Sequence, residues 1–269
     1  HVRVYTFDST SSQWNQMGGD IDGEAAGDSS GVRVSLSSDG NIVAFGARFN
    51  DDNGSNSGHV RVYTFDTITS QWNQMGVDID GEAANDESGW SVSLSSDGNV
   101  VAIGALYNDG NGNNSGHVRV YTFDSTSSQW NKMGGDINGE AADDGSGQSV
   151  SLSSDGNIIA IGAEYNDVNG SDSGHVRVYT FDSTSSQWNQ MGSDIDGEAA
   201  GDYSGISVSL SSDGSVVAIG ARSNDGNGSN SGHVRIYTFE ATSSQWNQMG
   251  GDIDGEAADD GSGWSVSLS

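Results

Sequence analysis

The sequence contains no cysteine and no proline, and it has only 9 lysine and arginine residues against 38 aspartate and glutamate residues. The absence of cysteine excludes disulfides, thiolate nucleophiles and cysteine-ligated zinc. The formal net charge of −29 argues against nucleic acid and anionic membrane surfaces as partners, and favours cations or basic partners. No apolar run approaches the roughly 20 residues of a membrane span, so we expect no membrane insertion.

Repetition is the dominant feature of the chain. His1, His59, His117, His175 and His233 open near copies of one unit, at a spacing of 58 residues. We therefore treat residues 1–269 as a single repeat domain with units 1–58, 59–116, 117–174, 175–232 and, in part, 233–269. Because His1 opens in the middle of a repeat phrase, we expect a longer array, or a neighbouring copy that supplies the missing strand by self-association.

Each unit predicts four short antiparallel strands. In the unit that crosses residues 89–136, these are WSVSLSS, NVVAIGA, HVRVYTFD and QWNKMG, with an SSDGN hairpin and an STSS turn between strands. Four strands at this period are typical of a β-propeller blade. Gly104 and Ala105 suit the crowded centre of a propeller, and Trp130 suits its wide rim. The predicted fold is an all-β propeller with about five blades.

The unit also resembles a known family. The run SGWSVSLSSDGNVVAIGA followed by GHVRVYTF is similar to the FG-GAP repeat, the blade of the integrin α-subunit head. Ser88-Gly89-Trp90 stands where that family has Phe-Gly, and Gly104-Ala105 matches its Gly-Ala, without the proline that follows. The resemblance implies a propeller and a surface or secreted protein. The family's calcium site in the first hairpin is not transferred, because that hairpin is only SSDG here.

The loop between the second and third strands carries oxygen side chains at alternate positions. This pattern resembles the first half of a calcium loop, although the bidentate acid that ends such a loop is missing. A turn-rich loop that uses Asn, Asp and Gly for local hydrogen bonds is the alternative. The candidate Ca²⁺ ligands are Asp51, Asn53, Ser55, Asp109, Asn111, Asn113, Asp167, Asn169, Ser171, Asp225, Asn227 and Ser229. Asn53, Asn113, Asn169 and Asn227 also head N-x-S sequons, so these four are candidate N-glycosylation sites.

The loops between successive units predict a negatively charged face that binds a partner. Its residues are Asp20, Asp22, Glu24, Asp78, Asp80, Glu82, Asp194, Asp196 and Glu198. The recurring histidines do not predict a metal site, because equivalent residues on separate blades lie far apart and no second ligand is evident nearby. The tryptophans predict rim packing, with sugar stacking as the alternative.

Repetition multiplies one surface and does not specialise one catalytic site. The carboxylates recur almost identically in every unit, whereas an active site needs one asymmetric group of residues. The sequence therefore predicts a non-enzymatic, secreted or cell-surface structural protein of an appendage, matrix or fibre, which associates with other copies of itself. The alternative is a calcium-dependent adhesion or lectin-like module with an extracellular protein or glycan ligand.

Overall fold

The structure is a computed structural model that describes residues 1–268. The described residues form 22 strands and no helix, so this part of the chain contains no helix that could span a membrane. The strands make one two-stranded sheet and four five-stranded sheets.

The strands follow one another with the repeat. The first sheet pairs β1 (Tyr5–Asp8) with β2 (Gln13–Gln16). The second contains β3 (Arg33–Leu36), β4 (Ile42–Ala47), β5 (His59–Asp66), β6 (Gln71–Gln74) and β7 (Ile79–Asp80). The third contains β8 (Ser88–Leu94), β9 (Val100–Ala105), β10 (His117–Asp124), β11 (Gln129–Lys132) and β12 (Ile137–Asn138). The fourth contains β13 (Ser149–Leu152), β14 (Ile158–Ala163), β15 (His175–Asp182), β16 (Gln187–Gln190) and β17 (Ile195–Asp196). The fifth contains β18 (Ser204–Leu210), β19 (Val216–Ala221), β20 (His233–Glu240), β21 (Gln245–Gln248) and β22 (Ile253–Asp254).

Each five-stranded sheet is a propeller blade, as predicted. Four strands lie side by side in the order of the chain, for example β3-β4-β5-β6, and all pairs are antiparallel. The fifth strand was not predicted. It has two residues, lies in the loop between blades and pairs with the beginning of the third strand, as β7 does with β5. The innermost strands and residues 264–266 line one central pocket.

The hydrophobic core lies between neighbouring blades. Val60 and Val62 on β5 belong to the same buried cluster as Val101 and Ile103 on β9 of the next blade. Corresponding clusters fill the next two junctions. Successive residues of a second strand face opposite neighbours, because Val101 and Ile103 pack against the preceding blade and Ala102 packs against the following one. Burial in β9 is therefore continuous over residues 101–105.

One glycine in each second strand lets two blades approach closely. A Cβ at Gly162 would lie 2.0 Å from the carbonyl oxygen of Gly205 in the next blade, and a Cβ at Gly104 would lie 2.2 Å from that of Gly147. Only glycine fits at this separation, because the obstacle is backbone that cannot rotate away.

The tryptophans of the fourth strands connect neighbouring blades. Trp188 is partly buried, and its indole Nε1 donates a hydrogen bond of 2.7 Å to the main-chain oxygen of Met133 in the preceding blade. Trp72, Trp130 and Trp246 make the equivalent bond. This geometry agrees with rim packing. Trp14 differs, because it is 67% exposed.

The predicted strand WSVSLS at 264–269 is not formed in residues 264–268, and Ser269 lies outside the described residues. A strand needs a ladder partner for its main-chain groups, and this segment pairs with no second strand among those residues. Leu268 still donates its main-chain N–H to Ser209 Oγ at 2.9 Å, the contact that Leu210 makes with Ser151.

Candidate metal centre

A buried histidine begins the third strand of each complete blade. His59 opens β5, where its backbone pairs with Ala47 on one side and Asp80 on the other. The imidazole is fully buried, yet neither ring nitrogen has a hydrogen-bond partner among the described residues. Buried polar atoms in proteins are almost always paired, so this imidazole is open to a further partner such as a metal ion or an ordered water molecule.

Three carboxylates face the imidazole of His59. The Nδ1 atom lies 3.7 Å from Glu24 Oε2 and 3.9 Å from an oxygen each of Asp52 and Asp78. These distances exceed those of hydrogen bonds. All four ligand atoms lie within 4.8 Å of one another. We call Glu24, Asp52, His59 and Asp78 the His59 cluster.

Neighbouring side chains hold two of the carboxylates in place. Arg61 Nη1 lies 3.6 Å from Glu24 Oε1, so the other oxygen of Glu24 faces His59. Gln74 donates a hydrogen bond to Asp78 Oδ1, which leaves Asp78 Oδ2 toward the imidazole. Partners of this kind orient ligand oxygens in known metal sites.

The cluster recurs in the next three blades. Its members there are Glu82, His117 and Asp136, then Glu140, His175 and Asp194, then Glu198, His233 and Asp252. The prediction that the histidines have no second ligand was therefore wrong. The ligands come from the loops before and after the histidine, 35 residues upstream and 19 residues downstream of it. Folding brings these segments together at the junction of two blades. A constant Glu, His and Asp spacing in each repeat is the signal that the sequence offered.

Two substitutions make the four clusters unequal. Asp52 gives the His59 cluster a fourth ligand, whereas the same repeat position holds Gly110, Val168 and Gly226 in the later units. In the second cluster Lys132 replaces the glutamine of the other repeats, and its Nζ lies 2.5 Å from Asp136 Oδ1. A lysine ammonium there already neutralises the carboxylate that would bind a cation.

Burial favours the neutral form of the imidazoles in the three later clusters. Desolvation, followed by the nearby Arg119, lowers the pKa of His117 to about 4, and burial with Arg177 lowers the pKa of His175 to about 4. Burial lowers the pKa of His233 in the same direction. A neutral imidazole has a free lone pair, which is the form that binds a metal.

These clusters can hold a metal ion. Ligands at about 2.1 Å from a tetrahedral ion are about 3.4 Å apart. The distances of 3.7–3.9 Å from His59 Nδ1 to the three carboxylates are close to this value, and all four ligand atoms lie within 4.8 Å of one another. The donor set is one imidazole nitrogen and three carboxylates.

The predicted calcium loops contain many hydrogen bonds within the protein. Asp51 Oδ1 accepts the main-chain N–H of Asn56 at 2.8 Å, and the Asn53 amide donates to the main-chain oxygen of Gly81 at 2.7 Å. The equivalent loops repeat both bonds. Calcium binding at these loops stays a prediction.

The four sequons do not occupy one structural position. Asn53, Asn169 and Asn227 are equivalent and use Nδ2 for a bond to a main-chain oxygen. Asn113 lies two residues beyond the equivalent Asn111, and its amide contacts Asp143 at 3.4 Å. All four residues are exposed, and their glycosylation stays a prediction.

The predicted acidic face divides into two groups. Glu24, Asp78, Glu82, Asp194 and Glu198 belong to the histidine clusters, whereas Asp20, Asp22, Asp80 and Asp196 do not. Asp20 is paired with Arg3 at 2.8 Å, which lowers the pKa of Asp20 to about 2. Burial raises the pKa of Asp80 and of Asp196.

The sequence matches the family model of the FG-GAP repeat over residues 77–123, 138–181 and 194–237. These segments cover half of the chain, and the chain belongs to this family. No curated protein matches it.

Among solved structures, the chain is similar to the periplasmic gluconolactonase of Pseudomonas aeruginosa, with 16% identity and a TM-score of 0.56 over 94% of this chain and 63% of that one. A protein from Bacteroides uniformis assigned as a 6-phosphogluconolactonase matches at 12% identity and a TM-score of 0.47, over 93% of this chain and 78% of that one. At these identities the likeness concerns the fold, and this chain spans less than two thirds of the gluconolactonase.

These likenesses correct the functional prediction. The neighbour with a TM-score of 0.56 is named as a gluconolactonase, which contradicts the predicted non-enzymatic structural protein and its filament and adhesion variants. The inference from repetition was wrong for a physical reason. Near-identical blades still differ at single positions, and one added carboxylate suffices to make one of four sites different.

Proposed function

We propose that this chain is a divalent-metal-dependent hydrolase of lactones, with the His59 cluster as its metal centre. The observation that carries the proposal is the buried, unpaired imidazole of His59 within 3.9 Å of three carboxylates. The likeness to a gluconolactonase propeller supports the substrate class by analogy of fold.

The donor set favours zinc or manganese over calcium. Ca²⁺ takes six to eight oxygen ligands, whereas an imidazole nitrogen suits first-row transition metals and carboxylates suit manganese. The calcium that we predicted from the loops would occupy a different part of the protein.

The exposure of the carboxylates assigns them different roles. A bound divalent ion lowers the pKa of a water molecule and polarises a carbonyl oxygen. Asp52 faces His59 with Oδ2 and has the most exposed side chain of the cluster, at 59%, so its other oxygen lies where it can accept a proton from the attacking water. Glu24 and Asp78 are held by Arg61 and Gln74 and act as ligands only.

The reaction consumes one water molecule. Its oxygen forms a bond to the lactone carbonyl carbon, and the bond between that carbon and the ring oxygen breaks. The ring oxygen leaves with the proton that Asp52 has taken, and the product is an open-chain hydroxy acid.

The variant Asp52→Gly tests this function, because glycine occupies the same position in two other repeats and the fold accepts it there. We expect it to weaken Zn²⁺ or Mn²⁺ binding at one site by at least about tenfold and to abolish hydrolysis of gluconolactone. Glu256→Ala is the control, because it removes one exposed acidic residue of the equivalent loop that belongs to no histidine cluster of the described residues. If the native chain bound the metal but did not hydrolyse gluconolactone, the proposed enzymatic activity would be refuted. If Asp52→Gly and Glu256→Ala bound the metal equally well, the assignment of the His59 cluster as the metal centre would be refuted.

The named neighbour is periplasmic, which supports export of this chain as part of the proposal. A secreted or cell-surface location is the finer prediction, and association with further copies stays a prediction as well.

A further inference from the structure

Arg33 differs from every other basic residue of the protein. The other eight lysine and arginine side chains lie within 4.0 Å of a carboxylate. Arg33 has neither an ion pair nor a side-chain hydrogen bond to any residue in the range 1–268. Arg33 is exposed to solvent, so water can solvate its guanidinium, and it is the one basic residue of this range without a nearby carboxylate in a chain with a formal net charge of −29.

The location of Arg33 is also special. It begins the innermost strand β3 and lines the central pocket, which has a volume of about 320 Å³ and is surrounded by the first strands of the blades and residues 264–266. The other four repeats have serine at this position, namely Ser91, Ser149, Ser207 and Ser265. Arg33 is the only charged side chain that lines the pocket among the described residues.

The serines show what the position does structurally. The Oγ atoms of Ser91, Ser149 and Ser207 donate to the main-chain oxygens of Gly147, Gly205 and Gly263 in the following blade, at 2.7–2.8 Å. Each bond joins two blades. Arginine at position 33 gives up that contact, and no other side-chain hydrogen bond of Arg33 within residues 1–268 replaces it. The substitution costs a stabilising bond and adds a free cation to the pocket.

We propose that the central pocket binds a small organic carboxylate through Arg33. The planar guanidinium fits a carboxylate with two parallel hydrogen bonds. The surrounding valines and Trp264 supply apolar surface for the carbon chain, and the serine hydroxyls have free lone pairs for hydroxyl groups. The volume is at the lower end for small-molecule sites, so a hydroxy acid of about six carbons fits the pocket and a polymer does not.

The charge of the protein selects a monoanion. A negative field over the molecule penalises a doubly charged phosphate about twice as strongly as a carboxylate. The site is distinct from the His59 cluster, and the inference stands on the position of Arg33 without the proposed hydrolysis. A hydroxy acid would nevertheless be the chemical class that such hydrolysis releases.

Calorimetric titration with gluconate tests the proposal, with glucose as the uncharged probe and inorganic phosphate as the dianionic one. The native chain should bind gluconate more tightly than either. Arg33→Ser restores the serine of the other four repeats, so it should fold and donate to the Gly89 oxygen, and it should weaken gluconate binding by at least about tenfold. Arg48→Leu is the matched control, because it removes one positive charge from the same blade outside the pocket, and the second repeat has Leu106 there.

Three results would overturn the proposal. Gluconate binding that is equal in the native chain and in Arg33→Ser would remove the role of Arg33. An equal loss in Arg48→Leu would show that only net charge matters. If phosphate bound as tightly as gluconate, the pocket would be a general anion site without selectivity for a carboxylate. None of these results depends on lactone hydrolysis, so the proposed function can fail or hold independently.

Discussion

The variant Gly162→Ala tests whether close backbone contact sets the spacing of the blades. The added Cβ would lie 2.0 Å from the carbonyl oxygen of Gly205, 2.6 Å from Ser149 Oγ and 2.9 Å from the carbonyl carbon of Gly205. Two of these three atoms are backbone, so relief requires the blades to separate. Overpacking of a core by one methyl group costs about 1–3 kcal/mol, and more where the surroundings cannot move.

We therefore expect Gly162→Ala to lower the free energy of unfolding by at least about 3 kcal/mol. For a chain of this size that loss corresponds to a fall in Tm of about 6–12 °C. Urea unfolding followed by tryptophan fluorescence measures it, because four tryptophans lie at the blade junctions.

Gly135→Ala is the control for this experiment. A Cβ at Gly135 meets nothing within 4 Å, and the residue is not among the glycines with positive φ. Its effect should stay within about 0.5 kcal/mol. If the two variants were equally stable, direct backbone contact would not set the blade spacing, and our account of the repeated glycine would be refuted.

Three further predictions concern the metal clusters, the rim and pH. Lys132→Gln should add one equivalent of bound Zn²⁺ or Mn²⁺ to the protein, measured by elemental analysis after gel filtration. If the ratio of metal to protein did not change, the lysine would not be blocking the second cluster. Trp188→Phe should cost about 1–3 kcal/mol, because it leaves a main-chain oxygen of the preceding blade unpaired, whereas Trp14→Phe, at a residue 67% exposed, should cost less than about 0.5 kcal/mol in the same denaturation assay. His117 and His175 have pKa values of about 4 in the folded protein against an ordinary 6.5, so the unfolded chain binds more protons between those values and stability should fall as pH falls through that window. The slope should approach about 1.4 kcal/mol per pH unit for each histidine and vanish above pH 6.5, and a flat urea midpoint from pH 6.5 to 4 would show that these imidazoles are not buried neutral.

The strands and their order could be predicted because they depend on short stretches of sequence. The alternation in WSVSLSS and HVRVYTFD, the Asp-Gly hairpin and the 58-residue period are local patterns. Because strands that follow one another in sequence usually pair with each other, few strand orders had to be considered. The prediction of β10 as residues 117–124 agrees with the structure at both ends. The two-residue strand β12 could not be predicted in this way, because it forms only by pairing with β10.

The candidate metal centre was decided by tertiary structure. Glu24, His59 and Asp78 come from three segments of two repeats, and each looks ordinary in its own segment. They meet because adjacent blades pack face to face and bring the loop of one blade over the third strand of the next. Packing of the two blades then buries the imidazole of His59 completely, which no local pattern records.

The sequence by itself determined the repeat, the blade and the need for glycine at the second strand, since each follows from period and side-chain size. It also contained the two informative exceptions, Asp52 and Arg33, as departures from the repeat. Only the tertiary structure decided their meaning, because position in a propeller is set by the arrangement of whole blades. One departure lies beside a buried histidine, and the other lies in the central pocket without an ion-pair partner in the part of the chain that the structure describes.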